Sequence, residues 1–176
     1  MIFRETNIPG AFVVELDPRS DSRGFFARLF CAEEFRAHGL DPHIEQINTG
    51  FSHRAGTVRG MHYQTAPDQD CKFVKCLRGT IVDVCLDLRP GSPTYRQHVA
   101  VELSDANRHM LFLPAGCAHG FQTLADETEI LYTTNVPYSP ASAVGVRHDD
   151  PAFAISWPLP ITDLSDADRS WPDFAR

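Results

Sequence analysis

The sequence lacks the features that mark a membrane-anchored or exported protein. Its 176 residues contain no apolar run near the roughly 18 residues needed to cross a bilayer, and no basic segment followed by an apolar core opens the chain. We therefore expect a cytoplasmic protein without a membrane partner. A single domain over residues 1–176 is the simplest organisation, because this length can bury one core and no linker or repeat interrupts it.

Positive charge and paired cysteines are also scarce. The chain has 16 lysines and arginines against 23 acidic residues, a net charge of −7 that argues against nucleic acid as a partner. The five cysteines are odd in number and form no C-x-x-C pair, so we expect reduced thiols packed mostly in the core. An anionic small molecule stays compatible with this charge, since it needs only a few well-placed arginines.

Helix signals are few, and short strand-like segments dominate. Helices are expected at Ala32–His38 and near Ser165–Asp168. The predicted strands are Phe12–Leu16, Ile44–Phe51, Phe73–Leu77, Ile81–Leu88, His98–Leu103, Met110–Leu113 and Ile130–Thr134. This pattern predicts a mainly β sandwich or small barrel with a few short helices. Asp83 and Asp87 share one face of their strand and can point into a ligand-holding lumen.

Two histidine motifs resemble those of cupin barrels. Pro114–His119 reads P-x-G-x-x-H, like the second cupin motif, and Arg59–Gln64 occupies the place of the first. A metal-binding cupin has H-x-H and then a glutamate in the first motif, whereas this chain reads H-Y-Q from His62 and next offers Asp68 and Asp70. The usual three-histidine site cannot be completed. We therefore predict a cupin-like jelly-roll β-barrel that uses no metal and no other cofactor.

A histidine in a pocket without metal favours proton transfer, because imidazole titrates near neutral pH. Epimerisation beside a ketone needs a base, a group that stabilises the enolate oxygen, an acid on the opposite face and contacts that hold the substrate. The sequence contains candidates for all four roles, but their spacing does not single them out.

Short motifs that together match a single protein family are spread over nearly the whole chain. The most specific are R-G-M-H-Y-Q at Arg59–Gln64 and A-H-G-F at Ala118–Phe121. Others are Arg23–Phe26, Gln46–Asn48, Lys72–Val74, Asp83–Arg89, Ser92–Thr94, Tyr132, Tyr138, Asp149–Pro151, Trp157–Pro158 and Leu164–Asp168. In this order they resemble the dTDP-4-dehydrorhamnose 3,5-epimerase family.

The resemblance implies an isomerase of deoxysugar and polysaccharide biosynthesis. Its substrate would be a nucleotide-diphospho-4-keto-6-deoxysugar, most simply dTDP-4-keto-6-deoxyglucose, which becomes dTDP-4-keto-rhamnose when carbons 3 and 5 are inverted through an enolate. The resemblance also implies a homodimer that exchanges N-terminal strands, so that part of each site lies on the partner chain.

Catalytic roles follow from the same resemblance. His62 would be the general base, and Asp168 would hydrogen-bond it and stabilise the imidazolium. Lys72 would lie beside the enolate oxygen as a point charge. Tyr132 would donate a proton from the other face of the sugar.

Substrate-binding roles are implied for a second set. Arg23 and Arg59 would hold the diphosphate, because a planar guanidinium matches phosphate oxygens. Gln46, Asn48 and His119 would line the sugar site. Tyr138 would stack on the nucleotide base.

Several positions depart from the pattern of the rhamnose pathway. Arg28 and Ala143 replace expected glutamates, Ala167 replaces a lysine, and Asp70 stands where a glutamine more often precedes Lys72. Arg28 could meet phosphate in place of the lost lysine. The nucleotide, whether dTDP, CDP or GDP, and the number of inverted carbons stay open.

Alternative interpretations stay open as well. Ser165–Asp168 also fits an S-x-x-D helix cap. Cys71 adjoins Lys72, but strand alternation points it away, which favours packing over a nucleophilic role. At the level of function, the alternatives are a metal-dependent cupin, a ketoisomerase on the same fold and a non-catalytic module that binds a sugar nucleotide.

Overall fold

The computed structural model describes residues 1–174 and contains mostly strands. The strands are β1 (Ile2–Glu5), β2 (Phe12–Glu15), β3 (Arg19–Asp21), β4 (Gly24–Phe26), β5 (Gln46–Ser52), β6 (Val58–Gln64), β7 (Lys72–Arg78), β8 (Thr80–Asp87), β9 (His98–Ser104), β10 (Met110–Leu113), β11 (Cys117–Thr123), β12 (Thr128–Thr134) and β13 (Ala143–Gly145). The helices are α1 (Ala32–Ala37) and α2 (Asp166–Arg169). The prediction of a mainly β chain with a few short helices is confirmed. Among the described residues, neither helix has the length and apolar character that a membrane span requires.

Two antiparallel sheets pack face to face. One has the strand order β1-β2-β10-β7-β12-β5 and the other β13-β6-β11-β8-β9, while β3 and β4 form a separate hairpin. Apolar side chains from both sheets share one core: Val74 and Leu111 extend from the first, and Ile81, Leu103 and Phe121 from the second. This two-sheet arrangement is the predicted cupin-like jelly roll.

Helix α1 covers the outer face of the six-stranded sheet. Its one buried residue is Phe35, whose ring centroid lies 5.2 Å from that of Phe73 and 5.8 Å from that of Phe112. Cys71 is buried in the same cluster, and burial together with nearby carboxylates raises the pKa of its thiol to about 12. Cys71 therefore packs in this layer, in agreement with the strand alternation, and is not a nucleophile for the opposite face.

The C-terminal segment covers the outer face of the five-stranded sheet and then returns to its edge. Val146 and Phe153 pack on the sheet beside Met61. Farther along, the Val58 amide donates a hydrogen bond to the carbonyl oxygen of Asp163 at 2.9 Å, at the start of β6. This pairing brings α2, with Asp168, against the strand that carries His62.

Strand prediction misses β6 and β11, the two strands that carry the histidine motifs. Both have a central glycine, which is unfavourable in a strand on propensity alone. The glycines are needed because a Cβ atom on Gly60 would lie 2.5 Å from the Cα atom of Gly120. Gly60 also has a φ of 129°, which other residues rarely adopt. Close backbone approach thus explains both glycines, and it brings His62 directly opposite His119 in the register of the two strands.

Candidate active site

A cavity of about 910 Å³ opens between the two sheets. It is lined by all of the predicted site residues except Arg23 and Arg28, namely Gln46, Asn48, Arg59, His62, Lys72, His119, Tyr132, Tyr138 and Asp168. His62 lies on β6 of the five-stranded sheet, whereas Lys72 and Tyr132 lie on β7 and β12 of the six-stranded sheet. The candidate base and the candidate acid therefore occupy opposite walls.

His62 and Asp168 form a close pair. The distance from His62 Nε2 to Asp168 Oδ1 is 2.5 Å, and the Gly60 amide donates to the other carboxylate oxygen at 3.3 Å. Burial alone would raise the pKa of the Asp168 carboxyl, but the hydrogen bond and charge of His62 outweigh it and the net pKa is lowered. The side chain of His62 is 50% exposed and that of Asp168 only 6%. A buried anion thus holds an accessible imidazole, the arrangement that orients a histidine base.

The helix cap and the His–Asp pair are both present at Asp168. The Ser165 hydroxyl accepts a hydrogen bond from the Asp168 amide at 3.0 Å and caps α2. The Asp168 carboxylate does not complete a reciprocal capping box, because both of its oxygens face β6. The two interpretations of S-x-x-D are therefore compatible. The backbone amide of Asp168 takes part in the helix cap, while its carboxylate binds His62 at the cavity.

Tyr132 stands on the wall opposite His62. In register it lies beside Asn48 of β5 and Val74 of β7, and it packs partly against the central core. Burial, and secondarily the negative charge of Asp70, raise the pKa of its phenol. A phenol of raised pKa holds its proton at neutral pH, so Tyr132 can act as a proton donor towards the cavity.

Lys72 is held by a carboxylate that sequence reasoning did not assign to the site. The distance from Lys72 Nζ to Asp70 Oδ2 is 2.7 Å, and both side chains are largely removed from solvent. Asp70 Oδ1 accepts a hydrogen bond from the Gln64 amide at 3.3 Å, and Asp70 lines the cavity. The available signal was the D-x-K spacing, which places two residues on the same side of an extended segment.

A second histidine–aspartate pair lies deeper between the sheets. His119 Nε2 is 2.6 Å from Asp83 Oδ1, and Asp83 is fully buried. Within residues 1–174, the other oxygen of Asp83 has no hydrogen-bond partner. Neither aspartate lines the cavity: Asp83 is linked to it only through His119, and Asp87 instead holds the side chain of Arg89 at 2.8 Å.

The polar contacts at the cavity rim order two of the candidate substrate-binding residues. Arg59 donates to the Ser52 hydroxyl at 3.2 Å and to the Phe51 carbonyl oxygen at 2.9 Å. The Gln46 side-chain oxygen accepts a hydrogen bond from the Tyr138 amide at 3.2 Å. The side chain of Tyr138 is largely exposed, so one face of a planar ligand can stack on it.

The structure does not bring Arg23 and Arg28 to the cavity of their own chain. Arg23 follows β3 at the hairpin turn, is 88% exposed and pairs with Asp21 at 2.6 Å. Arg28 pairs with Glu34 at 2.7 Å near α1. In the single chain these two arginines lie outside the cavity lining, and their contact with the substrate stays a prediction.

The cavity wall near α2 is uncharged at the positions that depart from the family pattern. Ala143 and Ala167 both line it. Trp171, which the sequence motifs did not point to, lines the same region and occupies the space that a side chain at Gly145 would need. In the part of the chain that the structure describes, no group of three or more His, Cys, Asp or Glu side chains could hold a metal ion.

Comparison with known proteins gives a consistent result. Residues 5–176 match the sequence profile described as dTDP-4-dehydrorhamnose 3,5-epimerase. A dTDP-4-dehydrorhamnose 3,5-epimerase of Sinorhizobium fredii is 41% identical over 175 residues, which are 99% of this chain and 90% of the relative.

Solved structures agree with the sequence matches. The dTDP-4-dehydrorhamnose 3,5-epimerase of Bacillus anthracis, with TDP and PPi bound, superposes with a TM-score of 0.94 at 36% identity, covering 98% of this chain and 99% of the other. ChmJ, a 3′-monoepimerase from Streptomyces bikiniensis in complex with dTDP-quinovose, superposes with a TM-score of 0.87 at 36% identity, covering 96% and 85%.

Proposed function

Because the chain belongs to the dTDP-4-dehydrorhamnose 3,5-epimerase family, an isomerase family, we propose that it inverts carbon 3, carbon 5 or both of dTDP-4-keto-6-deoxyglucose. Inversion of both carbons yields dTDP-4-keto-rhamnose. The observation that carries the proposal is the pairing of a His62–Asp168 dyad on one wall of the cavity with Tyr132 and Lys72 on the other. The dTDP nucleotide is favoured over CDP and GDP because similar structures contain TDP or a dTDP-sugar.

The proposed reaction moves one proton off and one proton onto the same carbon. His62 Nδ1 takes the proton beside the ketone, since Nε2 is held by Asp168, and the electron pair of the broken C–H bond moves to the keto oxygen to give an enolate. Lys72 stabilises that oxygen, and Asp168 stabilises the imidazolium. Tyr132 then protonates the carbon from the opposite face, and the carbonyl re-forms. The new imidazolium and phenolate exchange protons with solvent before the next cycle.

The number of inverted carbons depends on how the sugar turns in the cavity between the two proton transfers. The chain has the same sequence identity, 36%, to a 3,5-epimerase and to a 3′-monoepimerase of known structure, so identity does not distinguish the two outcomes. The same base and acid serve either outcome. Isotope incorporation at each carbon therefore has to be counted separately.

The decisive experiment is proton NMR of dTDP-4-keto-6-deoxyglucose in D2O with chelator-treated protein. We expect deuterium at carbons 3 and 5 and a rhamno-configured product, at a rate unchanged by the chelator. Deuterium at one carbon only would identify a single-site epimerase. A migrated carbonyl would identify a ketoisomerase, and exchange that depends on added metal would favour a metal-dependent cupin. Binding without exchange, repeated with CDP- and GDP-keto-sugars, would contradict the proposal.

A cytoplasmic homodimer that exchanges N-terminal segments is the assembly we propose. The β3–β4 hairpin exposes Phe25 and Phe26, the latter 78% exposed, next to Arg23. Two exposed aromatic rings beside an arginine suit contact with a partner chain better than contact with water. In such a dimer, Arg23 of one chain would hold the diphosphate in the cavity of the other.

Mixing inactive variants tests this assembly. Arg23→Ala and His62→Ala homodimers should both be weak, but after joint refolding each mixed dimer has one site with both residues intact. About a quarter of the wild-type activity should return, because half of randomly formed dimers are mixed and each has one working site of two. A mixture of His62→Ala with Asp168→Asn is the control and should regain nothing, since both residues belong to the same chain's site. No recovery in the first mixture would place Arg23 outside the partner's site.

A further inference from the structure

Asp70 is a buried carboxylate that the proposed reaction leaves without a role. It lies in the loop between β6 and β7, lines the cavity and is 6% exposed. Both of its oxygens are used: one is 2.7 Å from Lys72 Nζ, and the other accepts from the Gln64 amide at 3.3 Å. Gln64 ends the strand that carries His62. Asp70 therefore joins the cation of one wall to the strand that carries the base of the other.

We propose that Asp70 is a positioning residue that fixes the Lys72 ammonium beside the keto oxygen and sets the electrostatic environment of Tyr132. The inference rests on the proposed epimerase function. It extends that function by one residue that touches neither the substrate nor the transferred proton.

The need for such a residue follows from the chemistry of lysine. A lysine side chain has a flexible four-carbon stem, and confining it costs conformational entropy. A cation that stabilises an enolate has to be in place before the proton leaves, because reorganisation during the reaction adds to the barrier. Asp70 places Nζ in advance, and the backbone bond from Gln64 prevents the carboxylate from following the lysine towards solvent.

Charge balance points the same way. An isolated ammonium in this half-closed space would be costly, whereas a close ion pair with a second hydrogen bond is tolerated. The negative charge of Asp70 also adds to burial in raising the pKa of the Tyr132 phenol. Asp70 thus acts on both members of the six-stranded wall: it holds Lys72 in place and helps Tyr132 keep its proton.

The kinetic test is a double-mutant cycle of Asp70→Asn and Lys72→Met, read by deuterium exchange into the keto-sugar. Asn keeps the acceptor for the Gln64 amide but removes the charge. We expect kcat to fall about tenfold or more in Asp70→Asn, with KM changed less than about threefold, since loss of one oxyanion contact typically lowers kcat about 10²–10³-fold. In the Lys72→Met background, Asp70→Asn should add little. Independent, multiplicative losses would overturn the assignment.

Asp68→Asn is the matched control. It makes the same chemical change in the same loop, and Asp68 binds the Ser142 hydroxyl at 2.7 Å, outside the cavity lining. It should keep near-wild-type kinetics. If Asp70→Asn fails to fold, as thermal unfolding would show, Asp70→Glu replaces it. That variant retains the charge but displaces Nζ, so exchange should still fall while Tyr132 stays unaffected, and unchanged exchange in it would contradict the positioning role.

A second readout needs no substrate and stands even if the proposed function fails. Tyrosine labelled with ¹³C at Cζ is titrated by NMR, and the Tyr132 signal is assigned with Tyr132→Phe. In Asp70→Asn the midpoint should move down, because a nearby negative charge that helps to raise the Tyr132 pKa is lost. Asp68→Asn should leave it in place. An unmoved Tyr132 midpoint in Asp70→Asn would overturn the proposal, whether or not the wild type exchanges deuterium with any nucleotide sugar.

Discussion

Replacing His62 with alanine is expected to abolish both turnover and deuterium exchange. His62 is the half-exposed imidazole of the cavity and is paired with a buried carboxylate. The other imidazole of the lining, His119, is only 8% exposed, so we do not expect it to take over proton removal. General-base catalysis typically contributes about 10²–10⁴-fold, and the exchange rate at carbons 3 and 5 should fall by at least that factor. Exchange followed by NMR in D2O measures this step directly, before any inversion.

The fold should survive this change, because the His62 side chain is half exposed and belongs to no core cluster. Thermal unfolding and binding of dTDP check that the loss is chemical. His53→Ala is the matched control: that histidine is exposed, contacts Glu127 at 3.4 Å and lies outside the cavity lining. A His62→Ala protein that keeps more than about a tenth of the wild-type exchange rate would contradict the base assignment.

The fold class was predictable because it depends on local patterns. Short apolar segments bounded by turns, such as β8 and β10, are recognisable from the local sequence, and their observed bounds differ from prediction by one residue or none. The strands β6 and β11 were missed because each contains a glycine, which propensity disfavours in a strand. These glycines are required by a close contact between two backbone segments that are 60 residues apart in the chain. Propensity describes single residues, and such a contact is invisible to it.

The candidate site was predictable to the extent that motifs carry it. His62 and Asp168 are separated by 106 residues, and only the resemblance to a family joined them before the structure did. Asp168 alone favoured a helix cap, which the structure also contains. The Asp70–Lys72 pair went unassigned because the family pattern has a different residue there, and physical contact rather than similarity reveals it.

The two arginines show that a residue can be assigned to a site from the sequence and still lie outside the cavity of its own chain. Arg23 was assigned to the substrate by resemblance and Arg28 as a departure from the family pattern that could meet phosphate, yet within residues 1–174 their acidic partners are local ones, Asp21 and Glu34. A motif records that a residue acts in a site but not which chain's site it enters. Exposed rings on the same hairpin supply the missing physical argument, because they favour burial against another chain.

Replacing Tyr132 with phenylalanine should separate proton removal from inversion. The ring still fills its place against the core, but the hydroxyl that returns a proton from the opposite wall is gone. His62 and Lys72 remain, so the enolate still forms and His62 can return a deuteron to the face it came from. Deuterium exchange should fall less than about tenfold, whereas formation of the inverted product should fall about 10²–10⁴-fold, as expected for the loss of a general acid.

The two quantities come from one NMR time course, since exchange appears as loss of the proton signals at carbons 3 and 5, and inversion as new chemical shifts of the sugar protons that remain. Tyr95→Phe is the control, because Tyr95 is exposed on the turn after β8 and takes no part in the cavity lining. Equal loss of exchange and inversion in Tyr132→Phe would mean that the phenol stabilises the enolate and is not the opposite-face acid. A larger loss of inversion than of exchange would assign the two proton transfers to the two walls of the cavity. Only the reprotonation of the carbon from the opposite face would then depend on the Tyr132 hydroxyl, which lies on the six-stranded sheet.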